Sequence, residues 1–277
     1  MHLLLIGHGY LGRAVTQHFR EAGWQVTAVS LSGGEGALAG DVSDADSVRA
    51  LSVAIPSPDL IIHCAATGHG GADAYQRIYV DGSQHLLDAF PGVPVVFVSS
   101  TSVYAQIDGS VVTEDSPAVP DRETGRLLLD AERRVLDAGG VVARLAGIYG
   151  PGRSVILKRF LAGEAVIEDD GRRFLNQIHR DDAAIALLHL AQHVVQCQGQ
   201  VFNVSDSMPL VQIDCYQELC RIFQRPFPPS APRDLNRKRG WTHKQVSNQK
   251  LRASGWFPQF PSFLDAVERI APTLPFS

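Results

Sequence analysis

The sequence LLLIGHGYLG, residues 3–12, joins a short apolar run to a GxGxxG pattern, and it decides the fold of this chain. In such a pattern the first glycine permits a tight turn and the second lets the backbone approach a pyrophosphate, while the third lets a helix pack on a strand. The N-terminus of that helix offers free N–H groups and a positive dipole end to phosphate. We predict a dinucleotide site formed by Gly7, Gly9, Tyr10, Leu11 and Gly12. The alternative is a glycine turn that serves backbone geometry only.

Outward from this stretch, strand and helix signals alternate. Helical patterns span 10–22, 73–90 and 122–138, another begins at Ser43 or Asp44 and ends at residue 53, and strand patterns span 25–31, 60–64, 93–98 and 141–148. Such alternation predicts a parallel sheet with helices on both faces. Further helices are expected at 180–194, 211–223 and 261–270, with a strand at 201–204. Nine of the sixteen prolines follow residue 207, which indicates a loop-rich C-terminal part.

Composition excludes several classes of protein. The 277 residues are 45% hydrophobic and 19% charged, which suits a folded domain with a sizeable core. A net charge of −4 gives no general attraction to nucleic acid or to acidic membranes. The apolar run at residues 3–6 is too short for a signal segment or a membrane span, so we expect a soluble, cytoplasmic protein. The four cysteines form no CxxC pair, so we expect reduced thiols and no metal site.

The end of the second strand normally selects between NAD and NADP. An acidic residue there binds the ribose hydroxyls, whereas an arginine accommodates the additional phosphate. Residues 29–33 read VSLSG and carry neither signal. Because Ser30 and Ser32 can hydrogen-bond either sugar, the choice between NAD and NADP stays open at this point.

Five further motifs follow in order along the chain: IHCAA at 62–66, VSSTSVY at 98–104, RLAGIYGPG at 144–152, IHRDD at 178–182 and FNV at 202–204. Together with the glycine pattern, they resemble the extended branch of the short-chain dehydrogenase/reductase superfamily, which contains sugar-nucleotide epimerases and dehydratases. The resemblance implies an α/β fold, a Rossmann-type doubly wound parallel sheet of about seven strands with a small C-terminal substrate lobe. Residues 1–150 would form the NAD(P)-binding domain and 151–277 most of the lobe, with residues 178–205 returning to the main body.

The resemblance also implies site residues and partners. Cys64, Ala65 and Ala66 correspond to the turn over the cofactor, and Asp41 with Val42 to the pair that meets the adenine ring. An ordinary turn residue is an equally weighted reading of Asp41. The implied substrate is a small molecule, a sugar or a sugar nucleotide, and no nucleic acid or membrane is implied. Family members often form homodimers through the helices at 73–90 and 122–138, where Glu132 and Arg133 look like ordinary surface residues.

The chain departs from the family in its catalytic pair. The family's tyrosine and lysine fall on Thr124 and Leu128, as in atypical, YeeZ-like members of the branch. A threonine hydroxyl is too weak an acid to replace a phenol activated by a neighbouring lysine, and a leucine offers no charge. Either another residue has taken the role or the reaction class has changed.

The sequence offers few replacements. Ser100 aligns with the serine that polarises a substrate oxygen, and Thr124 occupies the vacant tyrosine position. Tyr104 and Tyr149 are candidate acid–base groups, each weighed against a packed aromatic ring. Three more residues favour structural readings: Tyr79, which falls on a family asparagine, the loop histidine His69, and His179, which precedes two aspartates.

Two groups of basic residues bear on the substrate. Arg153, Lys158, Arg159, Arg172 and Arg173 are candidates for an anion-binding cleft. The run from 233 to 252 holds seven Lys or Arg and one acidic residue. Its two readings are a phosphate-binding segment and a solvated loop, and we favour the loop.

Two functions therefore remain open. The first is an NAD(P)-dependent enzyme that epimerises, dehydrates or reduces a sugar or sugar nucleotide. The second is a catalytically impaired NAD(P)-binding sensor or interaction protein. The missing tyrosine–lysine pair favours the second, whereas the intact motifs at 144–152 and 178–182 favour the first, which we prefer.

Overall fold

The computed structural model of the protein describes residues 1–67, 70–233 and 241–275. Within these residues the strands are β1 (His2–Ile6), β2 (Gln25–Ser30), β3 (Ala37–Ala39), β4 (Leu60–His63), β5 (Val95–Ser100), β6 (Val111–Val112), β7 (Val141–Leu145), β8 (Gly147–Tyr149), β9 (Ile167–Glu168), β10 (Phe174–Leu175), β11 (Gln177–His179), β12 (Val201–Val204), β13 (Leu210–Val211), β14 (Ser230–Ala231) and β15 (Gln245–Val246).

The α-helices of the same residues are α1 (Tyr10–Glu21), α2 (Ala45–Ala54), α3 (Ala72–Tyr75), α4 (Gly82–Ala89), α5 (Glu123–Asp137), α6 (Val155–Leu161), α7 (Arg180–Gln192), α8 (Val194–Cys197), α9 (Gln212–Phe223), α10 (Gln249–Ala253) and α11 (Val267–Ile270). A π-helical turn, Gln76–Asp81, joins α3 to α4, and 3₁₀ turns lie at Thr101–Val103, Phe263–Ala266 and Ala271–Thr273.

Seven strands form the central sheet, in the order β12-β7-β5-β4-β1-β2-β3. β1 pairs in parallel with β2 and β4, and β4 pairs in parallel with β5. Leu3, Leu4 and Leu5 are all fully buried, because helices cover both faces of a parallel sheet and its strands are then continuously apolar. The predicted Rossmann-type doubly wound sheet is confirmed.

The first helices form where their apolar spacing predicts them. Leu11, Ala14, Val15 and Phe19 line the buried stripe of α1, whereas His18, which shares their spacing, is only half-buried. The carboxylate of Asp44 caps α2 by accepting from the N–H of Asp46 at 3.0 Å, which decides between the two predicted caps. A side-chain acceptor at this position satisfies one of the free N–H groups of the first turn.

The helix predicted over 73–90 differs from expectation in its interior. The structure has α3 and α4 separated by the π-helical turn Gln76–Asp81, which places Tyr79 and Val80 on its buried side. Wide turns of this kind are rare and occur frequently at functional sites. Sequence periodicity did not predict the turn, because one extra residue in a single turn leaves the 3.6-residue pattern on either side intact.

The chain divides into two compact units. The first unit comprises Met1–Val103, Val119–Arg144 and Ala184–Phe202, and the second comprises Tyr104–Ala118, Leu145–Ala183 and Asn203–Ser277. The predicted boundaries had assigned residues 104–118 to the first domain. The structure groups this segment with the second unit because β6 pairs in parallel with β15.

The second unit is built from short elements around one apolar core. Three two-stranded parallel pairs, β8 with β11, β9 with β14 and β6 with β15, accompany the antiparallel pair of β10 and β13. Its core packs side chains from β8, α6, α9 and the C-terminal turns, among them Tyr149, Leu157, Phe160, Leu219 and Phe263. None of the helices in the described ranges is long and apolar enough to cross a membrane.

Candidate functional site

The turn between β1 and α1 has the geometry that the glycine pattern predicts. Gly7 has a φ of +102°, and a Cβ built there would lie 2.4 Å from the backbone nitrogen of Ala65. A Cβ on Gly12 would lie 2.0 Å from the carbonyl oxygen of Gly7. Both glycines are therefore required by close packing of backbone on backbone.

Gly9 differs from these two glycines. A Cβ built on it would meet no atom within 4 Å, and its φ of −87° is open to any residue. Neither packing nor conformation explains the glycine at this position. An open space against bare backbone at a helix N-terminus is what a bound diphosphate requires, so the residues present fit a dinucleotide.

The start of α1 supports the same assignment. Gly9 is the N-cap and offers no side-chain acceptor, and the first turn holds no acidic residue. The positive end of the helix dipole is therefore not offset by a carboxylate of its own first turn. In this turn Tyr10 is half-buried, whereas Leu11 is buried and anchors the helix.

The segment after β4 packs against the glycine turn. Cys64 donates its thiol hydrogen to the carbonyl oxygen of Gly7 at 3.0 Å, and burial of the sulfur raises the pKa of this thiol to about 12. A thiol with such a pKa is not a nucleophile at neutral pH. Ala65, which follows, is half-buried, and Ala66 is exposed. Their small side chains keep this edge of the sheet accessible, as a cofactor site requires.

Asp41 acts as a turn residue, which is one of the two roles that the sequence left open for it. Its carboxylate accepts from the N–H of Ser43 at 2.9 Å and from the Ser43 hydroxyl at 2.7 Å, which is a local turn. Val42 is buried, and its carbonyl oxygen contacts His85 Nδ1 at 3.0 Å. Adenine contact by this pair stays a prediction.

Ser30 lies at the carboxyl end of β2. Its hydroxyl donates to the carbonyl oxygen of Gly33 at 3.4 Å, and the Ser32 hydroxyl donates to the same oxygen at 3.5 Å. Both bonds are long, so both hydroxyls keep capacity to bond a ribose.

The residues at the family's three catalytic positions lie in α5 and at the end of β5. Leu128 is buried in α5, and Thr124 is half-buried one turn earlier. Ser100 is half-buried, and its hydroxyl oxygen accepts from the N–H of Ser102 at 3.2 Å. Among the described residues, no protein acceptor is recorded for the hydrogen of the Ser100 hydroxyl. This hydroxyl can therefore donate to a substrate oxygen.

Tyr104 and Tyr149 both lie inside the second unit. The fully buried phenol of Tyr104 donates to Asn203 Oδ1 at 3.0 Å. Tyr149 is also fully buried, and its hydroxyl lies 3.4 Å from the carbonyl oxygen of Ser262. Burial, with the nearby carboxylate of Asp206, raises the pKa of Tyr149 above its ordinary value. These contacts match the packed-ring reading, and an acid–base role for either tyrosine stays a prediction.

The sequence analysis favours a structural role for Tyr79, His179 and His69. The hydroxyl of Tyr79 accepts from the N–H of Thr67 at 3.3 Å, and its ring packs on Phe97, with the centroids 6.1 Å apart. His179 is buried, and its Nδ1 accepts from the N–H of Asp181 at 3.3 Å, so it caps the start of α7. His69 lies outside the described residues.

Glu132 corrects the sequence analysis. It is only 2% exposed, and its carboxylate accepts from Arg144 Nη2 at 2.6 Å and from the Ser99 hydroxyl at 2.5 Å. The surface interpretation was wrong because Glu132 follows the buried Leu128 by four residues and shares its helix face. Since Ser99 directly precedes Ser100, this buried ion pair braces the strand end that carries the candidate serine.

The basic run also differs from expectation. Residues 234–240 lie outside the described residues. Lys244 is 4% exposed rather than solvated, and its ammonium donates to the carbonyl oxygen of Tyr104 at 2.6 Å. Burial, with the charge of Arg173 nearby, lowers the pKa of Lys244 to about 8. This lysine is therefore part of the interior of the second unit.

Two of the candidate residues for an anion-binding cleft form ion pairs within the protein. Arg172 pairs with Asp170 at 2.7 Å, and Arg173 pairs with the buried Glu168 at 3.3 Å. No group of three or more metal-ligating side chains occurs in residues 1–67, 70–233 and 241–275. The four cysteines are all free.

Asp206 is a buried acid that sequence reasoning did not single out. It is 2% exposed, and its Oδ1 has no hydrogen-bond partner among the described residues. Burial raises the pKa of this carboxyl well above its ordinary value, and Asp265 and Asp182 add to the shift. Such surroundings favour the neutral form of the acid.

Replacing Asp206 by asparagine should therefore stabilise the protein at neutral pH. The native carboxyl has a raised pKa, so its stabilising contribution is complete below the unfolded pKa of 3.8 and is lost as the pH rises toward the folded pKa. Asp206→Asn should gain about 1–3 kcal/mol in the free energy of unfolding at pH 8 and little at pH 3.5. Urea unfolding at both pH values measures this difference. The exposed Asp170→Asn is the control, and an equal loss of stability by Asp206→Asn at both pH values contradicts the prediction.

A family profile joins these observations to known proteins. The profile of the NAD dependent epimerase/dehydratase family matches residues 3–205. The chain belongs to this family. Its cofactor is accordingly a nicotinamide dinucleotide, NAD or NADP, and its sheet order and glycine turn are those that such a cofactor requires.

Named relatives extend the comparison. Protein YeeZ of Escherichia coli K12 is 29% identical over 238 residues, which cover 79% of this chain and 82% of YeeZ. Human epimerase family protein SDR39U1, solved with NADPH, is 24% identical to this chain. The superposition covers 99% of this chain and 100% of the SDR39U1 chain, with a TM-score of 0.80. MoeE5, solved with UDP-glucose and NAD, matches 98% of both chains at 20% identity and a TM-score of 0.81. These two structures share the fold of this chain.

Proposed function

We propose that this protein is an NAD(P)-dependent enzyme that reduces, epimerises or dehydrates a sugar or sugar nucleotide. The observation that carries the proposal is the open space over Gly9, between two glycines that backbone packing demands. When bound, the nicotinamide supplies a hydride donor or acceptor. Gly7, Gly9, Gly12 and the first turn of α1 would hold the diphosphate.

The substrate would lie beside Ser100. The Ser100 hydroxyl donates to the substrate oxygen and orients the carbon that exchanges hydride, and Thr124 contributes a second hydroxyl from α5. Neither hydroxyl is a base at neutral pH. Loss of a general acid or base costs typically about 10²–10⁴-fold in rate, so positioning alone leaves a slow enzyme. Tyr104 and Tyr149 stay candidate proton donors, although both phenols are within hydrogen-bonding distance of internal acceptors.

The proposed substrate class rests on the fold. MoeE5 shares it and was solved with UDP-glucose, so a sugar nucleotide is the first substrate to test. A homodimer formed through the helices at 73–90 and 122–138 and a cytoplasmic location stay predictions.

Ser100→Ala tests the proposed reaction. Turnover is followed by absorbance at 340 nm with NADH or NADPH and a panel of keto-sugars and UDP-sugars. We expect a drop in kcat of about 10–100-fold, because one hydrogen bond to the reacting oxygen is lost, with unchanged cofactor affinity. Ser102→Ala is the control, since only the backbone N–H of Ser102 takes part in the bond to Ser100. Equal activity of both variants would remove Ser100 from the mechanism.

A second function has one observation in its favour. Leu128 is buried and apolar where the family has its lysine, so no charge activates a proton donor from that position. We keep as the alternative a dinucleotide-binding sensor without turnover. Tight NAD(P)H binding, no oxidation with any tested sugar, and a conformational change on binding favour this reading.

A further inference from the structure

A cavity of about 490 Å³ lies within the second unit, beside the pair of β6 and β15. The buried residues Val246 and Asn248 form part of its floor. Val111, Arg252 and Phe257 are exposed and form part of its rim. The volume lies in the range of small-molecule sites, about 300–1,000 Å³. Among the described residues that line the cavity, none is a candidate for dinucleotide binding or for catalysis.

Arg252 brings a positive charge to the rim. It lies in α10, and its guanidinium is over the ring of Phe257, 5.6 Å from the centroid. Within residues 1–67, 70–233 and 241–275, no carboxylate pairs with this guanidinium. An arginine in this state can hold a carboxylate by two parallel hydrogen bonds.

Two serine hydroxyls add donors to the cavity wall. The Ser207 oxygen accepts from Asn248 Nδ2 at 3.2 Å, and the Ser247 oxygen accepts from the N–H of Gln249 at 3.3 Å. The described part of the chain offers no acceptor to either hydroxyl hydrogen, so each can donate to an anion. Asn248 is 4% exposed and also donates to the carbonyl oxygen of Ser205 at 2.8 Å, which holds it against Ser207.

The remaining lining is compatible with a negative ligand that has an apolar part. Asp206 contributes a carboxyl, but its burial favours the neutral form, which does not repel an anion. Pro209 and Val246 present apolar surface, and the ring of Phe257 is 61% exposed at the rim. An exposed ring beside a cation suits a ligand that carries both an apolar body and a negative charge.

We propose that this cavity is a binding site for a small aromatic carboxylate. The carboxylate accepts hydrogen bonds from Arg252 and from the hydroxyls of Ser207 and Ser247. The aromatic body lies against Phe257 and Val246, where its transfer from water is favourable. The site goes beyond the proposed function, because its ligand is neither the dinucleotide nor a sugar and its residues bind without either of them.

NMR titration with phenylacetate, acetate and benzyl alcohol tests the inference. Phenylacetate should bind saturably, with a Kd of about 1 mM or below, which is ordinary for so small a ligand. Acetate lacks the apolar body and benzyl alcohol lacks the charge. Each should therefore bind about tenfold or more weakly than phenylacetate.

Arg252→Gln should weaken phenylacetate binding by about tenfold or more and change benzyl alcohol binding little, because only the carboxylate loses charge-assisted hydrogen bonds. Arg269→Gln is the matched control. Arg269 is an exposed arginine of the same unit whose guanidinium is over the ring of Phe260 at 5.8 Å, and it does not line the cavity. Its replacement should leave the affinity unchanged. Phe257→Ala should reduce the preference for phenylacetate over acetate.

Three results would overturn the inference: no saturable binding of phenylacetate, equal weakening by the two arginine variants, or acetate binding as tight as that of phenylacetate. Gly9→Val, which blocks the glycine turn, should keep the affinity for phenylacetate. Loss of that affinity in Gly9→Val but not in Arg252→Gln places the probe at the glycine turn and also overturns the inference. The proposed function is tested separately, by NADH and NADPH binding, and stands in each of these cases.

Discussion

Replacing Glu132 by alanine should lower the free energy of unfolding by about 3–5 kcal/mol. The change leaves the guanidinium of Arg144 buried without its carboxylate, and it removes the acceptor of the Ser99 hydroxyl. Removal of one partner from a buried pair is costly because the remaining charge cannot be solvated. Urea or thermal unfolding measures the loss, and Glu132→Gln, which keeps the shape and one acceptor, should lie between alanine and wild type.

Asp130→Ala is the control for this prediction. Asp130 lies on the same helix and pairs with Arg133 and Arg134 at 3.6 Å, but these side chains are 36–69% exposed. Its loss should cost less than about 1 kcal/mol, because water replaces the partner. Equal destabilisation by the two substitutions would show that the buried pair of Glu132 and Arg144 contributes no more to the free energy of unfolding than an exposed pair does. Because Ser99 precedes Ser100, Glu132→Gln should also weaken turnover more than cofactor binding.

Replacing Gly9 by valine should weaken dinucleotide binding by about 100-fold or more, with little change in stability. The side chain fills the space that the diphosphate would occupy and blocks its approach to the backbone N–H groups of α1. Each charge-assisted hydrogen bond that is lost is worth about 1.5–3 kcal/mol, and about 1.4 kcal/mol corresponds to tenfold in affinity. Calorimetry with NADH and NADPH measures the loss, and Gly9→Ala should give a smaller one.

Gly71→Val controls for the replacement of a glycine at a helix N-cap. Gly71 has φ −88° and ψ −152°, against −87° and −150° for Gly9, and a Cβ on either residue meets no atom within 4 Å. The shift in Tm should therefore be alike for the two variants. If Gly9→Val unfolds the protein while Gly71→Val does not, the space over Gly9 is not open to a side chain. If Gly9→Val folds and keeps full affinity, the diphosphate is not held where we place it.

Much of the first unit follows from the sequence through local rules. The glycine pattern, the apolar strand before it and the apolar spacing of α1 each act over a few residues. They therefore predicted the turn at Gly7, the parallel sheet and most helix ends. The replacement of the family's catalytic pair by Thr124 and Leu128 was likewise visible from the sequence alone.

Other features depend on residues that are distant in the sequence. Glu132 looked like a surface acid until Arg144 and Ser99, 12 and 33 residues away, supplied its partners. Lys244 belonged to a basic run until the fold placed its ammonium against Tyr104, 140 residues earlier. Glu35 lay in a glycine-rich loop with no apparent partner until that loop carried it to Arg13.

The sequence by itself determined that the chain forms a dinucleotide-binding sheet and lacks the usual proton donor. Only the tertiary structure decided which charges are buried and which are paired. The physical reason is the distance along the chain over which each interaction acts. Turns and helix faces depend on neighbouring residues, whereas solvation and pairing of a charge depend on whatever distant segment the fold brings against it.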